Sequence, residues 1–208
     1  MIQRKALPTQ LHTGKRPTKA GFEPALNYNS GARRSGYMKP VGGLWTTTWE
    51  TAFDEGWPAW VLAENFHVEQ LNQAWLLEPV ECNVVELAGF DQCHEFMVRY
   101  AKQLFSLPDS GLRDLIISSD PDGVYARAHE HFDTPSMAAP IWEEVKKEAD
   151  CVRLLTPYAF NVRLGPYLFF NTWDCESTIW LRWCFRGAAR RVDLTTQIEK
   201  GRRRHEYA

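Results

Sequence analysis

Residues 42–49 read Gly42-Gly43-Leu44-Trp45-Thr46-Thr47-Thr48-Trp49, two glycines followed by a run of aromatic and β-branched side chains. This order is typical of a turn that leads directly into a β-strand. A second strand signal lies at residues 178–185, where apolar side chains occupy every second position: Ile179, Leu181, Trp183 and Phe185. That period predicts a strand with one apolar face. We therefore expect β-strands at both places.

Shorter patterns on either side predict further strands and helices. The strands are expected at residues 9–13, 74–80, 83–87, 115–118, 151–156 and 167–171. One helix is expected to start near Gly56 with Pro58 in its first turn, one to follow Asp91 as its N-cap, and one to lie at residues 141–149. The second helix has apolar side chains every three or four positions, at Cys93, Phe96, Met97, Tyr100, Ala101 and Leu104.

These elements are mixed along the chain and do not alternate regularly, so we expect an α+β fold with a largely antiparallel sheet. The length of 208 residues suits one domain. We place that domain at residues 1–200, followed by a basic C-terminal tail at residues 201–208. The composition, with 44% hydrophobic and 24% charged residues, excludes a wholly disordered chain, collagen and a coiled coil.

The sequence also predicts the compartment. There is no apolar run of about 18 residues, so no membrane-spanning helix is expected. The first residues lack the apolar segment of a secretory signal. The five cysteines are scattered and odd in number, which favours reduced thiols. We therefore expect a cytoplasmic protein that does not contact a membrane.

The small net charge of −2 hides an uneven distribution. Residues 1–40 hold eight lysines and arginines against one acidic residue, residues 41–150 hold six against twenty, and residues 151–208 hold ten against five. If the two basic ends meet in the fold, they form a positive face suited to a phosphate-bearing ligand or nucleic acid. Two solvated tails would account for the same counts.

Several well-known sites are missing from the sequence. It contains neither a P-loop nor a dinucleotide fingerprint, and no Gly-x-Ser-x-Gly nucleophile motif. His129-Glu130-His131 and Cys93-His94 offer too few ligands for a metal site, because zinc needs three or four that converge. We therefore expect no metal.

Two segments carry side chains suited to binding and catalysis. Residues 39–48 combine Lys39, glycines that let a ligand approach the backbone, the aromatic plane of Trp45 and three threonine hydroxyls. In the second segment, Asp174 and Glu176 are two residues apart, so on a strand their carboxylates would point to the same face and raise the pKa of one of them. Each segment also has a purely structural interpretation: the first as a turn followed by a strand, and the second as a turn before a core strand.

Together with Leu11-His12-Thr13-Gly14, these segments resemble the ADP-ribosyltransferase superfamily. His12 is similar to the first-strand residue of the family triad, and Gly43-Leu44-Trp45 to its Gly-Ile/Leu-Tyr strand. Thr46-Thr47-Thr48 resembles the Ser-Thr-Ser run of the toxin branch, and Asp174-Cys175-Glu176 resembles its Glu/Gln-x-Glu motif. The resemblance spans most of the chain in element order, rests on about a dozen residues, and extends to compact members from bacteriophages.

The resemblance implies a split β-sandwich with flanking helices and a cleft that binds NAD as a substrate. It implies catalytic roles for Glu176, His12 and Asp174, with Glu176 stabilising an oxocarbenium-like ribosyl cation. It implies NAD contacts from Gly43, Trp45, Thr46, Thr47, Thr48, Arg34 and Lys39. The reaction would be mono-ADP-ribosylation of an intracellular protein or nucleic acid.

This sequence departs from the family pattern at two positions: Trp45 replaces a tyrosine, and Asp174 replaces a glutamate or glutamine. The first-strand role could also fall to Arg4, Arg33 or Arg34. Two non-catalytic alternatives stay open. One is a protein that binds nucleic acid or modulates a host through its basic, tryptophan-rich faces, and the other is a binding module with an inactive cleft.

Overall fold

The computed structural model describes residues 2–26, 40–106, 127, 130–132, 136–155, 170 and 173–206. Its strands are β1 (Ile2–Lys5), β2 (Gln10–Thr13), β3 (Leu44–Thr48), β4 (Ala74–Pro79), β5 (Cys82–Leu87), β6 (Ala101–Ser106), β7 (Ser136–Pro140), β8 (Cys151–Leu154), β9 (Ser177–Trp180) and β10 (Phe185–Val192). Its α-helices are α1 (Trp57–Ala63), α2 (Phe90–Tyr100), α3 (Trp142–Glu148) and α4 (Thr195–Glu206), with 3₁₀ turns at Trp49–Thr51 and Val68–Asn72.

The main sheet has the order β1-β5-β8-β9-β3-β2-β4-β10, and β6 pairs with β7 separately. All pairs are antiparallel except β5 with β8. The expected α+β fold with a largely antiparallel sheet is therefore confirmed. Two registered pairs, Gln10 with Thr48 and Leu11 with Thr47, join β2 to β3. Beyond them the two strands diverge, so the sheet consists of a β1-β5-β8-β9-β3 half and a β2-β4-β10 half.

Each half of the sheet buries apolar side chains on its two faces. One cluster packs Val85, Val152 and Ile179 against α2 and α3, and it contains the fully buried Trp142. A second cluster surrounds Trp180, and a third packs Leu11 and Leu76 beneath α1 and α4. Trp142 and Trp180 are core residues, so packing explains part of the high tryptophan content.

The helix predicted after Asp91 is present and buries the predicted face, but both of its ends were predicted wrongly. Its N-cap is Gly89, and Asp91 lies in its first turn. Cys93, Phe96, Met97 and Tyr100 are buried on one side, as predicted. The helix ends at Tyr100, because the following residues pair as β6 with β7.

The strand predicted at residues 178–185 is divided in two. Strand β9 ends at Trp180, because the N–H groups of Leu181 and Arg182 donate to the carbonyl of Asp150 at 2.8 and 3.3 Å and turn the chain away. Strand β10 then begins at Phe185 and extends to Val192. Sequence patterning missed the arginine-rich part of β10 because an exposed edge strand needs no apolar alternation.

The strands predicted near residues 9–13, 74–80, 83–87 and 151–156 are confirmed as β2, β4, β5 and β8, and α1 and α3 begin where expected. The strands predicted at residues 115–118 and 167–171, apart from Phe170, lie outside the described residues. Residues 201–206 of the expected tail belong to helix α4. Within the described residues, no helix has the length and apolar character needed to cross a membrane.

Candidate functional site

The point where β2 and β3 diverge is filled by the side chain of His12. Its Nδ1 lies 2.9 Å from the carbonyl oxygen of Trp45, and its Nε2 lies 3.2 Å from that of Lys15. Both neighbours are acceptors, so a neutral imidazole can satisfy only one of them. Burial lowers the pKa of His12 below its ordinary value, although the two carbonyl contacts act in the opposite direction.

A cavity of about 270 Å³ opens beside this histidine. Three tryptophans form most of its apolar wall: Trp45 and Trp173, whose rings meet edge to face at 5.1 Å, and Trp57 on α1. The remaining lining residues are Leu11, His12, Thr13, Thr46, Thr47, Pro58, Gln70, Asp174, Cys175 and Ser177. The cavity is slightly below the roughly 300–1,000 Å³ of sites for drug-sized ligands, which suits one planar ring with a small substituent.

Glu176 lies directly behind the wall of this cavity. Its side chain is 2% exposed, and it does not line the cavity. Its Oε2 accepts from the Thr47 hydroxyl at 2.5 Å and from the Thr48 N–H at 2.9 Å, while Oε1 accepts from the Thr48 hydroxyl at 2.9 Å. Thr47 lines the cavity and bonds the carboxylate, so it lies between Glu176 and the cavity.

An ion pair neutralises the buried carboxylate. Arg153 on β8 places Nε 3.3 Å from Glu176 and donates to the Thr48 hydroxyl at 2.8 Å. Its other side meets Glu86 on β5 at 3.5 Å, and Glu86 accepts from Lys5 on β1 at 2.7 Å. We call Lys5, Glu86, Arg153 and Glu176 the charge ladder, because they come from the neighbouring strands β1, β5 and β8 and from the residue before β9.

The expectation that Asp174 and Glu176 share one face is wrong. Residues 173–175 are irregular, and Glu176 forms only an isolated bridge to Gly56, so strand alternation does not apply. Asp174 is exposed and lines the cavity, whereas Glu176 is buried behind Thr47. The carboxylate that reaches the cavity is therefore that of Asp174.

The three threonines of β3 have different surroundings. The Thr46 hydroxyl donates to Gln10 and accepts from the Trp180 indole, at 2.7 and 2.9 Å. The Thr48 hydroxyl is held between Arg153 and Glu176. The Thr47 hydroxyl is buried: it donates to Glu176 Oε2, lies 3.1 Å from the Glu176 carbonyl oxygen and packs against Gly56.

Gly43 lies at the start of β3, outside the tryptophan cavity and in the wall of a second one of about 310 Å³. Its φ is +72°, and an added Cβ would lie 2.6 Å from Ile179 Cδ1 and 2.9 Å from the Trp180 carbonyl. Glycine is therefore required there by backbone conformation and by close packing. Arg34 and Lys39 lie outside the described residues, and their predicted contacts with NAD stay predictions.

Sequence reasoning missed Arg153, Trp57 and Gln70. The sequence did contain a signal for Arg153, which is the one charged residue in the strand predicted at residues 151–156. A charge in such a strand needs a partner when it is buried. Trp57 and Gln70 gave none, because only the tertiary fold brings them to the cavity. Among the described residues, no group of three side chains could hold a metal ion. Comparison with known protein families, curated proteins and solved structures finds no match for this chain.

Proposed function

We propose that this protein transfers ADP-ribose from NAD to a macromolecule, protein or nucleic acid. One observation supports this most: a histidine, a threonine-rich strand and a carboxylate from three distant parts of the chain converge where the sheet divides. His12 contacts Trp45, and Thr47 lines the cavity while donating to Glu176. This convergence fits the chemistry that the family resemblance implies.

In the proposed reaction the nicotinamide ring enters between the tryptophans of the cavity. The ring carries a positive charge in NAD, which the faces of Trp45 and Trp57 would attract. The bond from nicotinamide to ribose breaks, its electron pair leaves with neutral nicotinamide, and a nucleophile of the acceptor bonds to the ribose carbon and loses a proton. Asp174 is placed to stabilise the cationic ribose, because its exposed carboxylate lines the cavity.

Glu176 acts in this proposal through Thr47. The buried Thr47 hydroxyl donates to the Glu176 carboxylate, so it holds that negative charge behind the wall of the cavity. Replacement of Thr47 by valine removes this donor at similar volume, and replacement by serine retains it. We expect Thr47→Val and Glu176→Gln to lower transfer by about 10²–10³-fold, the usual cost of losing one such group, and Thr47→Ser to retain most activity.

The test is incubation of the protein with labelled NAD and a mixed cell extract, followed by separate nuclease and protease digestion of the labelled product. Wild-type labelling that Thr47→Ser retains and Thr47→Val loses supports the proposal. Absence of labelling by folded wild-type protein contradicts it.

A second candidate is a nucleotide-binding module without transfer. Burial of Glu176 and its ion pair with Arg153 favour it, because a neutralised carboxylate stabilises a developing cation less. This candidate predicts that NAD raises the melting temperature with no release of nicotinamide. Release of nicotinamide would exclude it.

A further inference from the structure

We propose that the face next to the cavity binds single-stranded nucleic acid, through phosphates held by Lys15, Arg16 and Lys19. We call the two adjoining hollows on this face, of about 310 Å³ each, the basic trough. His12 lies in the walls of both the tryptophan cavity and the first hollow, so the trough begins at the candidate site. The idea that this nucleic acid also accepts ADP-ribose rests on the proposed function, whereas the idea that it binds to the trough does not.

The cations of the trough lack acidic partners. Within the described residues, Lys15, Arg16 and Lys19 form no ion pair. Five arginines elsewhere in the described part of the chain do pair with carboxylates, whereas the three on β10 do not: the paired ones are Arg4, Arg99, Arg127, Arg153 and Arg182. Among the residues that line the trough, Glu23 is the acid, and it lies on the first hollow. An unneutralised positive surface is the electrostatic signature of a polyanion site.

Aromatic side chains line the same hollows as these cations. Trp183 is half-buried and lines both hollows, and Phe22 packs against it edge to face at 6.0 Å. The Arg16 guanidinium lies 5.4 Å from the ring centre of Trp75 and donates to the Ala189 carbonyl. Cations alternating with stacking surfaces are how sequence-tolerant proteins hold single strands.

The extent of the trough favours a strand over one dinucleotide. Its first hollow includes Lys15 and Arg16, and its second continues past Lys19 to Gly187 and Ala189 on β10. One diphosphate could contact part of this surface and would leave the rest unused. An acidic protein segment would satisfy the charges but would gain less from the exposed aromatic surface of Trp183.

The chain provides a matched control on β10. Arg186 and Arg190 are exposed and, within the described residues, form no ion pair. They lie opposite Glu78 and Leu76 in the ladder with β4. Leu76 packs in the cluster beneath α1, whereas Trp75 packs on the other face with Trp183. Paired residues share a face, so both arginines point away from the trough.

The experiment measures fluorescence anisotropy of labelled oligothymidylate and oligouridylate of about 12 nucleotides, within the range of known single-strand sites, without NAD. Wild-type protein should bind with a strong salt dependence. Lys15→Gln/Lys19→Gln should weaken binding at least tenfold at low salt and reduce the slope of log affinity against log salt by about 1.4. Arg186→Gln/Arg190→Gln, with the same change in net charge, should bind within about twofold of wild type. Far-UV circular dichroism checks that both variants fold.

Further variants and competitors separate the alternatives. Trp183→Leu should weaken binding about tenfold through lost stacking. Equal losses in the two double variants, or displacement of the strand by polyglutamate of equal charge, would overturn the proposal in favour of general polyanion attraction. Displacement by NAD would assign the cations to the dinucleotide. NAD is absent from the binding measurement, so a failure of ADP-ribosyl transfer does not change this result. A protein that transfers ADP-ribose but does not bind the oligonucleotide would contradict this inference and leave the proposed function standing.

Discussion

The two halves of the divided sheet differ in whether their charged side chains have partners of opposite charge. The β1-β5-β8-β9-β3 half pairs its alternating charges in the charge ladder, in which Arg153 lies between Glu86 and the buried Glu176. The β2-β4-β10 half leaves Lys15 and Lys19 near its surface without carboxylate partners among the described residues. Paired buried charges fix geometry, while unpaired exposed charges are free for a ligand. In the two proposals above, the first half positions the candidate site and the second half binds the nucleic acid.

The largest predicted effect comes from breaking the charge ladder. Arg153→Met leaves Glu176 buried without its cation, and removal of one partner of a buried pair costs about 3–5 kcal/mol. The matched control is Arg4→Met, which removes an ion pair to Glu81 whose side chains are 68% and 60% exposed. We expect the control to cost at most about 1 kcal/mol. Urea unfolding measures both, and equal losses would show that the ladder is not a structural unit.

A smaller effect is predicted for two glycines, one on each half. Gly43 and Gly187 have φ of +72° and +65°, but an added Cβ meets Ile179 and the Trp180 carbonyl at Gly43 and open space at Gly187. Gly187→Ala should cost about 1–2 kcal/mol from backbone strain alone. Gly43→Ala should cost clearly more, because packing adds to the same strain. Thermal unfolding compares the two variants, and a larger loss at Gly187 would contradict the packing at the start of β3.

The smallest effect concerns pH and the histidine where the halves diverge. Burial lowers the pKa of His12, so the unfolded chain binds its proton more readily than the folded protein. Stability should therefore fall as pH drops through the ordinary histidine pKa of about 6.5 and below. His12→Gln should reduce this decline. Identical pH profiles for wild type and His12→Gln would refute the assignment.

The strands were more predictable from sequence than the site. Short apolar segments located β4, β5 and β8, because each of these strands buries most of its side chains. The end of β9 depends on hydrogen bonds to Asp150 from residues about thirty positions away, which no local pattern contains. The arginine-rich continuation of β10 has no core-facing period for the sequence to reveal.

For the site, the sequence indicated the segments and not the orientation of their side chains. His12, Trp45 and Asp174 do line one cavity. Glu176 does not, because the chain before β9 is irregular and the carboxylate turns toward Thr47, Thr48 and Arg153. Spacing along a chain predicts a shared face only where the backbone is regular.

The order of the main sheet has a consequence for self-association. Among the described strands, its two edges are β1 and β10, and an unpaired edge strand invites pairing with another molecule. On β1 the exposed residues include Arg4, and β10 carries Arg186, Arg190 and Arg191 with a register shift between the first two. Charged side chains and bulges oppose edge-to-edge pairing. We therefore expect Arg186 and Arg190, which point away from the basic trough, to hinder pairing between the sheets of two copies.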